Sequence, residues 1–120
     1  MIYLASPYTK QTPEERDYYF NQLCQITAKL FGSGLHVFAP ILHSHPIAKN
    51  YGVPSEWEYW AEYDEKFLTI CDELWVIMFP GWDTSHGVAA EIEIAKKLGL
   101  DITYLNPENL LKDYTWFQQV

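Results

Sequence analysis

Glu91 and Glu93 lie two residues apart in a predicted amphipathic helix, but only Glu91 is expected to face the core. In residues 88–98, a rotation of about 100° per residue places Glu91 inside an apolar stripe, whereas Glu93 points the opposite way with Lys97. The stripe consists of Val88, Ile92, Ala95 and Leu98. Glu93 and Lys97 predict an ordinary surface ion pair. A carboxylate on a buried face costs free energy unless it is paired or has a function, which singles out Glu91.

The preceding predicted helix, residues 55–71, carries a second carboxylate of this kind. Its apolar stripe consists of Trp57, Trp60, Ala61, Leu68 and Cys71. Asp64 falls in the middle of that stripe, while the other acids of the helix face away. Two carboxylates that converge on one cleft suit acid–base or nucleophilic chemistry, and such pairs are the usual means of cleaving a glycosidic bond. Asp64 and Glu91 are therefore the candidate catalytic residues; for Glu91 alone, a structural carboxylate hydrogen-bonded to a nearby loop is an equal alternative.

The elements that must position these carboxylates alternate strand and helix. Strands are predicted over residues 1–6, 35–40, 73–80 and 101–105. Helices are predicted after the capping box of Thr12 and Glu15, from Ser55, from Ser85 and from Pro107, with an irregular segment over residues 41–55. The pattern predicts an α/β fold, with one small three-layer domain over residues 1–120 and a parallel sheet of flavodoxin-like or Rossmann-like type.

Three loops reach the carboxyl ends of these strands, where such sheets bind ligands. They cover residues 6–12, 41–52 and 80–87. In the last loop, Ser85 is the expected N-cap of the helix that holds Glu91, which would leave the N–H groups of Gly87 and Val88 free to bind a phosphate. Ser6, at a neighbouring strand end, could do the same. A plain N-cap without a ligand is the alternative for Ser85.

Histidines and a tryptophan in the same loops are candidate ligand contacts. His43 and His45 share one side of an extended segment; we expect them to contact substrate or one of them to donate to Asp64, with a role in loop structure as the alternative. Their spacing matches no recognised zinc pattern, so neither a metal nor another cofactor is expected. Trp82 is expected to stack on a ring of the ligand or to anchor its loop.

Composition limits the class of partner. The chain has 120 residues, 48% of them hydrophobic, and a formal net charge of −8. Nucleic acid polymers and anionic membranes require a basic footprint, so the expected partner is a small molecule. The absence of a long apolar run or a signal peptide favours a cytoplasmic protein. Five tryptophans and nine tyrosines predict exposed apolar surface and a homo-oligomer, with Trp57 and Trp60 as core or subunit contacts.

Three segments resemble the nucleoside 2-deoxyribosyltransferase superfamily. They are IYLASPYT at residues 2–9, the D-x7-D pair Asp64 and Asp72, and S-x-G-V-x-x-E-I-x-x-A at residues 85–95. The serine-containing loop is most similar to the 2'-deoxynucleoside 5'-phosphate N-hydrolase branch. The whole chain also resembles a bacterial and phage group of uncharacterised domains related to that superfamily, with the same HSHP and PGW segments.

The resemblance implies a catalytic role for the two carboxylates. Glu91 falls where the family has the nucleophile that attacks C1' of the sugar and expels the base. Asp64 falls where the family has an acid that assists at the sugar and the leaving base, and Asp72 matches a family acid to which we assign only a structural role. The implied fold is the nucleoside deoxyribosyltransferase type, and the implied activity is hydrolysis or transfer at an N-glycosidic bond.

The resemblance also implies binding roles. Ser85 and Gly87 fall where the hydrolases hold the 5'-phosphate, and Tyr3 and Ser6 match residues of the first-strand motif. Tyr8 stands where the hydrolases carry an arginine, so a nucleoside without a phosphate is a second candidate substrate. The family often completes its active site with a neighbouring subunit, a role open to the aromatic C-terminal tail, DYTWFQQV.

Two other function classes are alternatives to an N-glycosidase. The cleft could bind or sense a nucleotide without turnover, or the two-histidine segment could serve a metal-dependent phosphoesterase. The binding module predicts a tightly held ligand that is recovered unchanged. The phosphoesterase predicts bound metal and loss of activity with a chelator.

Overall fold

A computed structural model describes residues 1–8 and 12–111 as an α/β domain around a four-stranded parallel sheet. The strands are β1 (Ile2–Ala5), β2 (Val37–Phe38), β3 (Glu73–Ile77) and β4 (Asp101–Leu105). The helices are α1 (Pro13–Gly32), α2 (Pro40–Tyr51), α3 (Trp57–Ile70), α4 (His86–Leu98) and α5 (Pro107–Leu111). The predicted small three-layer fold, flavodoxin-like or Rossmann-like, is confirmed.

Helices cover both faces of the sheet because the side chains of β1 alternate between two apolar clusters. Ile2 and Leu4 pack in the cluster that holds the buried residues of α1. Tyr3 and Ala5 pack in the opposite cluster, which contains buried residues of α3 and α4, among them Leu68, Val88 and Ala95. Tyr3 is fully buried although it carries a hydroxyl group, so this side of β1 requires a polar partner.

The strand order β2-β1-β3-β4 creates a crevice between the first and third strands. The chain leaves β1 for β2 on one side and then crosses over to β3 on the other side, so the direction of winding reverses between β1 and β3. At such a reversal, the loops after the two strands diverge and leave space for a ligand. Residues 6–8 follow β1 at this point, and residues 78–85 follow β3.

The beginning of α1 and the whole of β4 agree with the sequence prediction. Thr12 caps α1, since Glu15 N donates to Thr12 Oγ1 at 3.2 Å and Thr12 N donates to Glu15 Oε1 at 2.9 Å. Strand β4 has the predicted bounds, and the helix predicted from Pro107 is α5. The sequence pattern was therefore most reliable where a cap or a turn marks the boundary.

Several boundaries differ from the prediction: β1 covers residues 2–5 rather than 1–6, and β3 ends at Ile77 rather than at Pro80. Residues 41–55 do not form an irregular segment, because most of them belong to α2. Pro40 is compatible with the first turn of α2, which needs no N–H donor there, and Gly52 ends the helix with a left-handed φ of 71°. The N-cap of α3 is Glu56 rather than Ser55, without a side-chain capping bond, and β2 has only two residues.

Two further expectations concern the surface and the end of the chain. Glu93 pairs with Lys96 at 3.9 Å, one position before the predicted partner Lys97.

None of the helices described, which lie within residues 12–111, is long and apolar enough to cross a membrane. The aromatic tail at residues 113–120, for which a role at a neighbouring subunit is expected, lies outside the described residues.

Candidate functional site

Six of the predicted site residues line one cleft at the carboxyl ends of β1 and β3. Both predicted catalytic carboxylates are among them, although α3 and α4 contribute one each. The six residues are Ser6, Tyr8, Asp64, Ser85, Gly87 and Glu91. The topology therefore brings together the two helix positions that broke the apolar pattern and the loop residues that follow β1 and β3.

The Glu91 carboxyl is buried and receives a hydrogen bond from the sheet. Its side chain is 5% exposed, and the Tyr3 hydroxyl donates to Glu91 Oε2. Burial raises the pKa of Glu91 to about 8; the Tyr3 hydrogen bond opposes this shift, and the charge of Asp64 adds to it. Burial and the nearby carboxylates also raise the pKa of Tyr3 well above its usual value, so Tyr3 is a stable hydrogen-bond donor.

Asp64 is the second buried carboxylate, at 8% exposure on the inner face of α3. Burial raises its pKa to about 7. Within residues 1–8 and 12–111, neither Asp64 nor Glu91 has an ion-pair partner, and Asp64 accepts no hydrogen bond. With pKa values of about 7 and about 8, the two carboxyl groups together hold about one proton at a pH between these values. This state offers one carboxylic acid and one carboxylate in the same cleft.

The beginning of α4 forms one edge of the cleft. Ser85 is the N-cap, as predicted, and Val88 N donates to Ser85 Oγ at 3.3 Å. The expectation that the Val88 N–H is free for a phosphate is wrong, because the capping serine already accepts from it. Gly87 lies against Trp57, where an added Cβ would meet the ring at 3.6 Å, an ordinary contact distance. The absence of a side chain at Gly87 is therefore not required by the fold around Trp57.

Two tryptophans of α3 form an aromatic wall of the cleft. Trp57 and Trp60 are only partly buried and belong to neither apolar cluster, so the expectation of a core position is wrong. Their position on the same helix face as Asp64 was predicted, but their place on the wall of the cleft was not. Ser44 also lines the cleft and was missed because α2 was not predicted, whereas Ser55, predicted as a helix cap, lines the cleft instead.

The two histidines do not share one side of an extended segment, because both belong to α2. His43 is exposed and its ring stacks on that of Tyr63 at a centroid distance of 5.6 Å. His45 is buried and makes hydrogen bonds to Tyr8 Oη at 2.5 Å and to Asp17 Oδ1 at 2.9 Å. Neither histidine donates to Asp64 in the described structure, so that expectation is wrong.

Trp82 belongs to the loop that follows β3. Trp82 begins a short 3₁₀ turn, Trp82–Thr84, and its ring packs against Tyr104 at a centroid distance of 5.4 Å. It does not line the carboxylate cleft, which agrees with the alternative that it anchors its loop. No three His, Cys, Asp or Glu side chains come together in a metal-binding arrangement within residues 1–8 and 12–111.

A comparison with protein families matches residues 1–106, which include every predicted site residue. The matching model is described as a domain of unknown function, DUF1937. The chain belongs to the DUF1937 family. A search of curated proteins finds no match to this chain.

The cleft of this DUF1937 domain combines features that rarely serve stability alone. Buried carboxyl groups without cations destabilise a folded protein when they ionise, and active sites are where such groups concentrate. Here the two groups share a cleft with an aromatic wall and with hydroxyl groups from Ser6 and Ser85. Such a set of groups suits the exchange of a proton and the presentation of a carboxylate to an electrophilic centre.

Proposed function

We propose that this DUF1937 domain cleaves or transfers the N-glycosidic bond of a nucleoside or nucleoside 5'-monophosphate. The observation that carries the proposal is the pair of buried carboxyls, Asp64 and Glu91, which share one cleft without a cation among its described lining residues, with Tyr3 bonded to Glu91. A glycosidic bond needs an acid for the leaving group and a carboxylate for the sugar carbon. The resemblance of the segments around residues 2–9, 64–72 and 85–95 to nucleoside deoxyribosyltransferases supports the same chemistry.

In the proposed reaction, ionised Glu91 attacks C1' of the sugar. The C1'–N bond breaks, its electron pair goes to the base nitrogen, and Asp64 supplies the proton that the departing base requires. Water or a second base then attacks C1', the bond to Glu91 breaks, and the proton of the attacking group returns to Asp64. Water gives a hydrolase and a base gives a transferase; both outcomes use the same two carboxyls.

The distribution of protons between the two groups defines the reactive form. Glu91 must be ionised and Asp64 protonated, whereas their pKa values of about 8 and about 7 favour the reverse. Only a part of the singly protonated protein is therefore in the reactive form. The share of all protein molecules in that form is largest between about pH 7 and about pH 8, where the singly protonated state is most populated. The hydrogen bond from Tyr3 favours the ionised form of Glu91, which increases the reactive fraction.

The other cleft residues suit the two halves of such a substrate. Trp57 and Trp60 offer apolar faces on which a nucleobase can stack. Ser6 and Ser85 offer hydroxyl groups that can bond to the sugar or to its 5'-substituent. The carboxylate pair lies along the same cleft, so a base on the tryptophans would have its glycosidic bond near Asp64 and Glu91.

A turnover screen tests the proposal. Purified protein is incubated with ribonucleosides, deoxyribonucleosides and their 5'-monophosphates, with and without a second free base, and base release is followed by chromatography. We expect release from at least one compound and a loss of at least about a thousandfold in Glu91→Gln, because a neutral amide cannot act as the nucleophile. Glu93→Gln is the matched control, since Glu93 lies two residues away on the exposed side of α4. Full activity in Glu91→Gln would refute the mechanism.

A nucleotide-binding module is the second candidate, and one observation favours it. At neutral pH, Glu91, with a pKa of about 8, is mostly protonated, which is a form suited to hydrogen bonding. This candidate expects one compound of the same panel to raise the melting temperature and to be recovered unchanged by mass spectrometry. Base release by the wild-type protein would exclude a purely binding role.

A further inference from the structure

A chain of hydrogen bonds behind the cleft connects three residues from separate elements. Asp17 Oδ1 lies 2.9 Å from His45 Nε2, and His45 Nδ1 lies 2.5 Å from Tyr8 Oη. Lys49 Nζ donates to the other oxygen of Asp17 at 2.8 Å. The His45 ring is 4% exposed, so both of its nitrogen atoms make their hydrogen bonds away from bulk water. A buried histidine with hydrogen bonds at both ring nitrogens holds its two partners, here Asp17 and Tyr8, in fixed positions.

The partners of His45 determine where its proton lies. Hydrogen bonds from Lys49 and then His45 lower the pKa of Asp17, so Asp17 is ionised and only accepts. The Nε2 atom that faces it must therefore carry a hydrogen. In the neutral ring, Nδ1 then has a lone pair and accepts the hydrogen of the Tyr8 hydroxyl. The proton of Tyr8 is thus directed toward His45 and away from any ligand.

Tyr8 forms the boundary between the cleft and an adjoining cavity. It lines the carboxylate cleft with Asp64 and Glu91, and it also lines a cavity with Arg16 and His45. The guanidinium carbon of Arg16 lies 4.9 Å from the centre of the Tyr8 ring, and Arg16 Nε donates to the Tyr8 carbonyl at 3.3 Å. Contacts with Arg16 and with His45 therefore hold the main chain, the ring face and the hydroxyl group of Tyr8.

We propose that His45, oriented by Asp17, is a positioning residue that locks the Tyr8 hydroxyl so that it presents only lone pairs to a ligand. Tyr8 then selects a ligand that offers an O–H or N–H donor at this wall, such as a sugar hydroxyl or a base amino group. A phosphate oxygen, which has no hydrogen to donate, gains nothing from Tyr8. The assignment of the donor to a nucleoside rests on the proposed function, whereas the orientation of the hydroxyl does not.

The orientation is tested without any ligand. Long-range ¹H–¹⁵N correlation spectra of labelled protein at neutral pH distinguish the two ring nitrogens of each histidine. We expect His45 to show an unprotonated Nδ1 and a protonated Nε2, in a signal that is absent from His45→Leu and shifted in Tyr8→Phe. A hydrogen on Nδ1, with or without one on Nε2, would overturn the inference, because Tyr8 would then accept from His45.

The selectivity is tested by calorimetric binding of 2'-deoxyadenosine and 2'-deoxyadenosine 5'-monophosphate to the inactive Glu91→Gln protein. Adding Tyr8→Phe or His45→Leu is expected to weaken 2'-deoxyadenosine binding about tenfold, the value of one hydrogen bond. Adding His36→Leu is the matched control and leaves binding unchanged, because His36 is exposed and directly precedes β2, at the opposite end of the sheet from the cleft. Tyr8→Phe preserves the ring over which Arg16 lies, so it separates the hydroxyl from the packing.

The outcomes separate this inference from the proposed function. Unchanged affinity in both Tyr8→Phe and His45→Leu would overturn the selectivity. Tighter binding of the monophosphate that depends on the Tyr8 hydroxyl would overturn it as well. Failure of both compounds to bind would refute the selectivity for these nucleosides and weaken the proposed function, while the spectra of His45 would still decide the orientation of Tyr8.

Discussion

The domain contains two groups of carboxylates that have opposite surroundings, one on each side of Tyr8. Asp17 lies between Lys49 and His45, and their hydrogen bonds lower its pKa. Within residues 1–8 and 12–111, no cation pairs with Asp64 or Glu91, and burial raises both pKa values. Among these residues, the carboxylate of Asp17 is therefore neutralised by its neighbours, whereas the two carboxyls of the cleft are not.

This difference separates a structural use of charge from a functional one. The Asp17 group resembles the usual solution for a partly exposed acid, in which a cation and a hydrogen-bond donor satisfy both oxygens. Asp64 and Glu91 do not follow that rule, and the charge of Asp64 raises the pKa of Glu91 further. Local violations of this kind are expected at functional sites, where the rest of the fold compensates for their cost.

The largest expected effect comes from replacing Asp64, the proposed acid. Asp64→Asn is expected to lower kcat by about 10²–10⁴-fold, because an amide cannot protonate the leaving base. The wild-type protein is expected to show a bell-shaped pH profile with its maximum between about pH 7 and about pH 8. Asp64→Asn should lack the alkaline limb, since that limb reports the ionisation of the acid. An unaltered alkaline limb in steady-state kinetics would show that another group supplies the proton.

The next effect concerns stability at alkaline pH. The folded state keeps a proton on Glu91 up to about pH 8, whereas the unfolded chain releases it near the ordinary pKa of 4.5. The contribution of protonated Glu91 is therefore fully present below about 4.5 and is lost as the pH rises through about 8. Between about pH 6 and about pH 9, Glu91→Gln should gain roughly 2–3 kcal/mol relative to the wild type. Urea unfolding at both pH values measures this gain, and equal shifts at both would contradict it.

The Asp17 group predicts a smaller effect on the opposite side of the pH scale. Because its folded pKa is lowered, the stability that ionised Asp17 contributes is present above the ordinary value of 3.8 and is lost as the pH falls through the lowered pKa. The wild type should therefore be more stable than Asp17→Asn at neutral pH, and the difference should shrink in acid. Thermal melts of both proteins at neutral and acid pH measure the two differences. A difference that grows in acid would show that Lys49 and His45 do not stabilise the ionised form.

The smallest effect is expected at the exposed neighbour of Glu91. Glu93→Gln should change the free energy of unfolding by less than about 0.5 kcal/mol at any pH, because its only recorded ion pair in the described residues is a long contact with Lys96. Urea unfolding alongside Glu91→Gln makes the comparison direct. A pH-dependent gain in Glu93→Gln would indicate a general charge effect rather than a property of the cleft.

The sequence was sufficient for those parts of the site that depend on local geometry. Asp64 and Glu91 were recognised because helical periodicity determines which residues face the sheet, and a carboxylate on that face stands out. Ser85 was recognised because an N-cap is a local pattern. The alternation of strands and helices then indicated a parallel sheet, and a parallel sheet places the loops after β1 and β3 side by side.

The missed parts depend on pairings between distant residues. His45 and Asp17 are 28 residues apart, and their contact requires α2, most of which was predicted as an irregular segment. Pro40 sits in the first turn, where a missing N–H costs little, and Pro46 is tolerated inside the helix. Tyr3 and Glu91 are 88 residues apart, so their hydrogen bond follows from the placement of α4 on the sheet and not from any local pattern.

The alternation of side chains in β1 has a consequence for protein engineering. Tyr3 reaches Glu91 because it occupies the same side of the strand as Ala5, while Ile2 and Leu4 occupy the other side. A slip of one residue in the pairing of β1 would turn Tyr3 toward the opposite layer and leave Glu91 without its donor. An insertion or deletion in this strand would therefore disconnect the cleft from the sheet.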